Sequence, residues 1–273
     1  MRFAIVHSKP NIASTNIVKT LKKDNFLPQV PILDTKKDVI YADEFTIKKY
    51  PFLKITDILI YASTHKSKKG EPSLCLHAPG NWRSADLGGS SGKVCPTSAF
   101  ILKYLFQQLN KNAEQAKQEN KLDPAYNITM EVTHHGPLIE VPCCFIEIGS
   151  SEKQWQDKQA SEVIAKTIMS LQNYKKSDYE NWIPCIGIGG PHYAPNFNKI
   201  QLNSNYAISH IIPEYSLPLT IPMLQQAEQK TTEQIKLALV DWKGCGNSEQ
   251  RQQTINLLDK FGFKYKRTSN IEK

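Results

Sequence analysis

Residues 128–137 read ITMEVTHHGP, and the fold class turns on that stretch. Ile128, Met130 and Val132 alternate with Thr129, Glu131 and Thr133. Successive side chains of a strand point to opposite faces, so this period of two predicts a half-buried β-strand. His134-His135-Gly136-Pro137 ends it. A companion stretch, GIGGPHYAP at 187–195, closes a short apolar run, Ile183–Ile188, that reads as a buried strand. It too ends in glycine, proline and a histidine, His192. Histidine at a strand end is chemistry mounted on a rigid element yet able to face a pocket.

Outward from these stretches, strand-like and helix-like segments alternate. Phe3–Val6 is apolar, and Asn11–Asp24 carries Ile12, Ile17, Val18 and Leu21 at roughly helical spacing. Within the mixed residues 28–50, Val39–Tyr41 reads as a short strand; Ile55–Tyr61, Ser73–Leu76 and Val141–Ile148 are stronger ones. A long helix is predicted from about Thr97 to Asn120, with Phe100, Ile101, Tyr104, Leu105 and Leu109 on one face and Thr97 or Ser98 as N-cap. Further helices are predicted over about 154–173, Leu219–Lys230 and Ser248–Phe261, with strands at Leu237–Asp241 and Phe263–Tyr265, and the apolar stretch Ala207–Ile212 contains His210. Such alternation points to an α/β fold. No repeat or linker divides it, so residues 1–273 read as one domain.

The chain has 273 residues, 40% of them hydrophobic and 22% charged, which is globular composition of a length that supports a large core. No apolar run is long enough to span a membrane. The opening MRFAIVHSKP has too short an apolar core for a signal peptide and reads as a first strand. The six cysteines, Cys75, Cys95, Cys143, Cys144, Cys185 and Cys245, show no CxxC spacing and fall mostly in apolar runs. They read as buried free thiols of a reducing, cytoplasmic setting. The net charge of +8, mostly lysine, attracts polyanions; a Lys-, Asn- and Ile-rich genome gives the same excess, so charge alone does not decide for nucleic acid.

His7, His65, His77, His134, His135 and His192 all follow apolar runs. Ligands of open α/β sheets sit beyond the carboxyl ends of parallel strands, so several of these histidines are expected at one rim of the sheet. Clustered neutral imidazoles suit Zn²⁺, whose catalytic sites take about three protein ligands and one open position; alternatively, one acts as general base. There is no HExxH, so any ligands come from distant segments. Adjacent His134 and His135 point to opposite faces of a regular strand and converge only if the Gly136-Pro137 turn distorts the backbone. Cys143 and Cys144 read as mid-strand core, and no GxSxG elbow is present. Gly189-Gly190 lets backbone amides approach a phosphate or an oxyanion; a tight turn with positive φ explains the pair equally well.

ThrHisHisGlyPro at 133–137, GlyIleGlyGlyProHisTyrAlaPro at 187–195 and HisAlaProGlyAsnTrp at 77–82 resemble the archaeal and plant type of D-aminoacyl-tRNA deacylase. AlaSerThrHisLysSer at 62–67, ValAspTrpLysGly at 240–244 and the overall length fit the same family. The resemblance implies a three-layer α/β/α fold with a central mixed, mostly parallel sheet, similar in core to phosphorylases and peptidyl-tRNA hydrolases. It implies a cytoplasmic monomer that needs no protein partner or membrane and cleaves the ester between a D-amino acid and the 3′ adenosine of tRNA. It implies zinc, two ions per chain. Carried onto this chain, His134, His135 and His192 become catalytic, and His65, His134 and His192 metal ligands. His77, Asn81, Gly189, Gly190 and Tyr193 become contacts to the acceptor end of the substrate. Two other readings compete: a metal-dependent peptidase or phosphorylase-like enzyme on the same core, and a non-enzymatic RNA-binding module with packed histidines.

Overall fold

A computed structural model describes residues 1–23 and 30–271. Asp24, the end of the first predicted helix, and residues 28 and 29 of the mixed segment lie outside the described residues. In chain order, β1 (Phe3–Ser8) leads into α1 (Ile12–Lys23), then β2 (Ile32–Thr35), β3 (Ile58–Lys66) and β4 (Ser73–His77). A two-residue ribbon, β5 (Gly80–Asn81) and β6 (Lys93–Val94), precedes α2 (Ala99–Gln118), β7 (Asn127–Met130) and β8 (Cys143–Ser150). The short α3 (Glu152–Trp155), α4 (Lys158–Met169), β9 (Ile183–Ile188), α5 (Pro195–Asn203) and β10 (Tyr206–Ile212) follow. Then come α6 (Ile221–Gln229), β11 (Leu237–Val240), α7 (Ser248–Phe261) and β12 (Tyr265–Arg267). No helix among the described residues is long and apolar enough to cross a membrane.

The architecture is α/β and mostly parallel, as expected, with the strands shared between two sheets. Six run in the order β2-β1-β3-β8-β4-β7, parallel except where β4 meets β8. Four more, β10-β9-β11-β12, are wholly parallel. The segment after β7 ties the sheets together: the Val132 amide donates to the His192 carbonyl (3.0 Å) and the Thr133 amide to the Ile211 carbonyl (3.1 Å). That is why the strand predicted through Thr133 ends at Met130. Its alternation continues, but the chain has left the first sheet to bridge to the second.

One face of the six-stranded sheet is covered by α1, α2 and α4, in a core that runs from Ile5, Ile60 and Ile146 through Leu105 and Ile164 to Ile208 and Leu239. Ser98 caps α2, its hydroxyl accepting the Ile101 amide at 3.1 Å. Helices α6 and α7 bury Leu224, Ile255 and Leu258 against Ile186, Ile212 and Val240 of the second sheet. The opposite face of the first sheet is covered by loops and 3₁₀ turns, with Tyr61 stacked on Phe145 at 4.9 Å over Val39, Phe45 and Val141. Val39–Tyr41, read as a strand, is one of those turns. Asp38 precedes it, and its carboxylate takes the Ile40 amide that a ladder would need.

Candidate active site

The histidines gather on this helix-free face and not at a rim. In β3 and β8, His65 pairs with Gly149; in β4, which runs the other way, His77 pairs with Phe145. Those partners are four residues apart along β8, about 13 Å at strand rise. Side chains of paired residues share a face, so His65, Glu147, Cys75 and His77 form one polar stripe across the sheet, with Glu147 midway. The rim expectation assumed uniformly parallel strands, and the antiparallel β4 overturns it.

Two loops close over the stripe. The segment after β7 brings Glu131, His134 and His135; the turn after β9 brings His192 and Tyr193. His135 adopts φ of 45°, which breaks strand alternation and places its ring 4.3 Å from that of His134. His134 lies 4.3 Å from His77 and 4.6 Å from His192, centroid to centroid. The stretches at 128–137 and 187–195 therefore share one site.

At its centre is Glu131, 1% exposed. One oxygen lies 3.1 Å from His65 Nδ1 and 3.5 Å from His192 Nε2; the other lies 3.7 Å from His77 Nε2 and 3.8 Å from His134 Nε2. Glu147 stands 3.6 Å from His77 Nε2 and 3.8 Å from His65 Nδ1. Both Glu131 oxygens and His77 Nε2 are buried without a hydrogen-bond partner. Leaving buried charges so exposed to one another is costly unless something else satisfies them. Ligand atoms about 2.0–2.1 Å from a shared tetrahedral zinc stand about 3.4 Å apart, close to several of these separations. The donor set of imidazole nitrogen and carboxylate oxygen also suits such an ion.

Four groupings bring metal-ligating atoms together: His77, His134 and His135; His65, Cys75 and Glu131; Glu131, His134 and His192; His77, Glu131 and Glu147. The other nitrogens are held in place by the fold. His134 Nδ1 donates to the Val132 carbonyl (2.9 Å), His135 Nδ1 to the Gly136 carbonyl (2.6 Å), and His77 Nδ1 to the Ala78 carbonyl (3.2 Å). Such second bonds orient metal-binding imidazoles.

Electrostatics separates the imidazoles. Burial, reinforced by His77, His135 and His192, drives His134 well below the ordinary histidine range. Burial and His77 bring His135 down to about 4. Both are neutral near pH 7, the form that ligates metal. Burial opposes charge on His77 too, but Glu147 and Glu131 outweigh it and raise the group. Burial alone pushes the Glu131 carboxyl up, and the surrounding His192, His65 and His77 pull it below its usual range instead.

The remaining predicted residues are near the site, in different postures. Tyr193 places its hydroxyl 3.0 Å from His65 Nε2. Asn81 is buried and its amide donates to the Gly88 carbonyl (2.8 Å), so it braces the loop beside His134. Gly189 and Gly190 have φ of 89° and 83°, the left-handed turn that glycine permits. Their amides donate to the Ile212 (2.8 Å) and Gly244 (3.1 Å) carbonyls. Neither is free for an oxyanion; the pair anchors the turn that delivers His192. His7, at the end of β1, bonds to Asp34 and Thr15 and stands apart from the cluster. All six cysteines are free and buried.

Glu131 and Glu147 escaped the sequence reading. Glu131 was expected on the wet side of a half-buried strand, yet Thr129, Glu131 and Thr133 are all nearly inaccessible. Glu147 carried a signal: a lone carboxylate inside the apolar run Cys143–Ile148. A charge there needs a partner of its own.

Comparison with known proteins shows the family. Residues 52–266 match the family described as D-aminoacyl-tRNA deacylase. A D-aminoacyl-tRNA deacylase of Methanocaldococcus jannaschii is 33% identical over 273 residues, covering 98% of this chain and 100% of that protein. One from Pyrococcus furiosus is 37% identical over 239 residues, covering 86% and 82%. A crystal structure of a conserved protein of unknown function superposes with a TM-score of 0.84 at 27% identity, covering 99% of this chain and 96% of the other. The chain belongs to the D-aminoacyl-tRNA deacylase family.

Proposed function

We propose that this protein hydrolyses the ester of D-aminoacyl-tRNA, releasing D-amino acid and tRNA, and so acts in chiral proofreading of translation. The reading is carried by one observation: in a chain of this family, four imidazoles, buried His65 and His77 and part-exposed His134 and His192, surround the buried, unpartnered carboxylate of Glu131 beside a cavity of about 670 Å³ lined by His65, His134, His135 and His192. Zinc is the metal that this donor set fits. His77, His134 and His135 form one candidate ligand set and His65, Cys75 and Glu131 another, with no residue in common, enough for two ions. Held by these residues, zinc would supply a Lewis acid for the ester carbonyl and a lowered pKa for water.

The chain's own residues do the rest. Neutral His134 and His135 line the cavity, and His192 adds a third imidazole on their open side. Tyr193 offers a hydroxyl held by His65, a donor where the committed amides of residues 189 and 190 cannot serve. Exclusion of L-aminoacyl esters is steric, because a shaped pocket rejects a misdirected side chain. The protein works as a cytoplasmic monomer on the acceptor end of many tRNAs, recognised by shape and phosphate. The test is paired hydrolysis of D- and L-aminoacyl-tRNA, with and without chelator, alongside metal analysis. Selective, chelator-sensitive turnover of the D-ester is expected; cleavage of peptides but not of D-aminoacyl-tRNA favours the peptidase reading and overturns this one.

A further inference from the structure

His134 and His135 line two cavities at once. The first is the 670 Å³ cavity already described, walled also by Asn11, Thr64, Lys66 and Trp155. On the other side of the pair lies a second, of about 330 Å³, walled by Trp82, Arg83, Asp86, Thr133 and Tyr215. Leu87, 54% exposed, stands at the edge of both. The two histidines are thus a partition, and their backbone-bonded Nδ1 atoms hold both rings in it.

An aminoacyl-tRNA ester has two unlike halves joined at the bond to be cut: an anionic nucleotide common to all tRNAs, and a variable side chain with a cationic α-ammonium. An enzyme that cuts this bond must seat both halves with the carbonyl between them. Resting on the function proposed above, we infer that the substrate straddles the His134–His135 partition, with the terminal nucleotide in the larger cavity and the aminoacyl group in the smaller one under Tyr215.

Charge decides which half goes where. Lys66 lines the larger cavity and opens the run Lys66-Ser67-Lys68-Lys69, whose three ammonium groups have no carboxylate partner among the described residues. The neighbouring Lys9 and Lys37 are by contrast paired, with Asp34 and with Asp43 and Glu44. Unpaired Lys66 at the cavity, with exposed Lys68 and Lys69 following it in the chain, is free to meet phosphates. The larger cavity's own carboxylates are engaged, Glu147 by His77 and His65 and Asp38 by the Ile40 amide, while the smaller cavity holds one charge of each sign. Arg83 is committed to the Ser216 (2.9 Å) and Pro218 (2.7 Å) carbonyls, while the Asp86 carboxylate receives only the Ser84 hydroxyl (3.0 Å) and can meet an α-ammonium.

Tyr215 then becomes the residue that reads the side chain. Its ring is 60% exposed, large for an aromatic, and its loop is fixed by Arg83 and by the Glu214 amide on the Gly190 carbonyl (3.0 Å). A rigidly held aromatic face contributes binding to large side chains and little to alanine.

The test crosses two variants with two substrates and two probes. Tyr215→Ala should lower kcat/KM for D-tyrosyl-tRNA by about tenfold relative to D-alanyl-tRNA. It should leave inhibition by adenosine 5′-monophosphate and the affinity for uncharged tRNA unchanged. Replacing Lys66, Lys68 and Lys69 together by alanine should weaken uncharged tRNA binding by about tenfold, flatten its salt dependence, and slow both esters equally. Exposed positions make both variants safe to fold, and matched melting curves check it. The reverse pattern, Tyr215→Ala weakening adenosine monophosphate while sparing the D-Tyr to D-Ala ratio, removes the division. A wild type inert on both esters removes the functional reading beneath it, so the two failures are told apart.

Discussion

Glu131 Oε2 stands 3.7 Å from His77 Nε2, and neither buried atom has a hydrogen-bond partner. Both groups are buried in the folded protein, and a ligand that binds only that state stabilises it by about 2.7 kcal/mol at a hundredfold excess over Kd. Saturating zinc should therefore raise the melting temperature of chelated wild-type protein by roughly 5 °C or more. Glu131→Gln keeps the volume and removes the anionic ligand of one set while leaving His77, His134 and His135 in place, so the rise should shrink and bound zinc should fall in elemental analysis. A wild-type melting curve indifferent to both zinc and chelator sinks the metal assignment.

Tyr193→Phe isolates a single hydroxyl. The backbone carbonyl of Tyr193 is held independently by Thr129 (2.9 Å) and Asn198 (3.0 Å), so the loop survives the change. What is lost is the contact with His65 Nε2. The hydroxyl is the donor that takes the place of the two engaged amides, so turnover should drop roughly tenfold or more while zinc content holds steady; the lost contact should lower the melting temperature by only a few degrees. Unchanged turnover with both esters removes Tyr193 from the machinery.

These two residues illustrate what the sequence allowed. His134, His192 and Tyr193 were legible because apolar runs stopping at His-Gly-Pro and Gly-Gly-Pro-His are local signals. Ile183–Ile188 and Ser248–Phe261 were legible for the same reason, and the structure keeps their bounds. That β4 runs antiparallel to β8, placing His77 and His65 at opposite ends of one stripe, was not, since strand partners far apart in sequence leave no trace in either segment. Glu131 was hidden by its own strand pattern. Alternation says which residues share a face, but not which other loop will cover that face.

The Gly189-Gly190 turn gives a prediction about position, not chemistry. A Cβ on Gly189 would meet Cys245 Sγ at 2.6 Å and the Asp241 and Gly244 carbonyls at 2.9 Å; one on Gly190 would meet the Asp241 carboxylate at 2.9 Å. Positive φ adds backbone strain, so each alanine should destabilise by about 1–3 kcal/mol. Gly189→Ala should be the worse, because backbone cannot yield as a side chain can. Both should lower activity beyond the stability loss, since the turn carries His192. Urea unfolding beside single-turnover rates checks this; alanine variants of wild-type stability would contradict the packing.

Lys103 supplies the pH dependence. Fully buried in α2, it donates its ammonium to the Gln201 and Ser204 carbonyls at the end of α5, with Trp182 5.3 Å away. These are orphan carbonyls of a helix terminus, where a cation is favoured. Burial nevertheless lowers the group to about 8 from its ordinary 10.5. Between those values the unfolded chain keeps a proton that the folded protein has shed, so this group's contribution to stability rises with pH across the window. Below pH 8 both states are charged and the contribution is flat at its lowest; above about 10.5 both are neutral. The stability of wild type minus that of Lys103→Met should therefore increase from pH 7.5 to 10, by at most about 3 kcal/mol, because the two carbonyls favour the charged form and shrink the shift. Taking the difference cancels the cysteines and tyrosines that titrate in the same range. A gap that stays level across the window would mean that Lys103 remains charged throughout, held by the α5 terminus strongly enough to offset its burial.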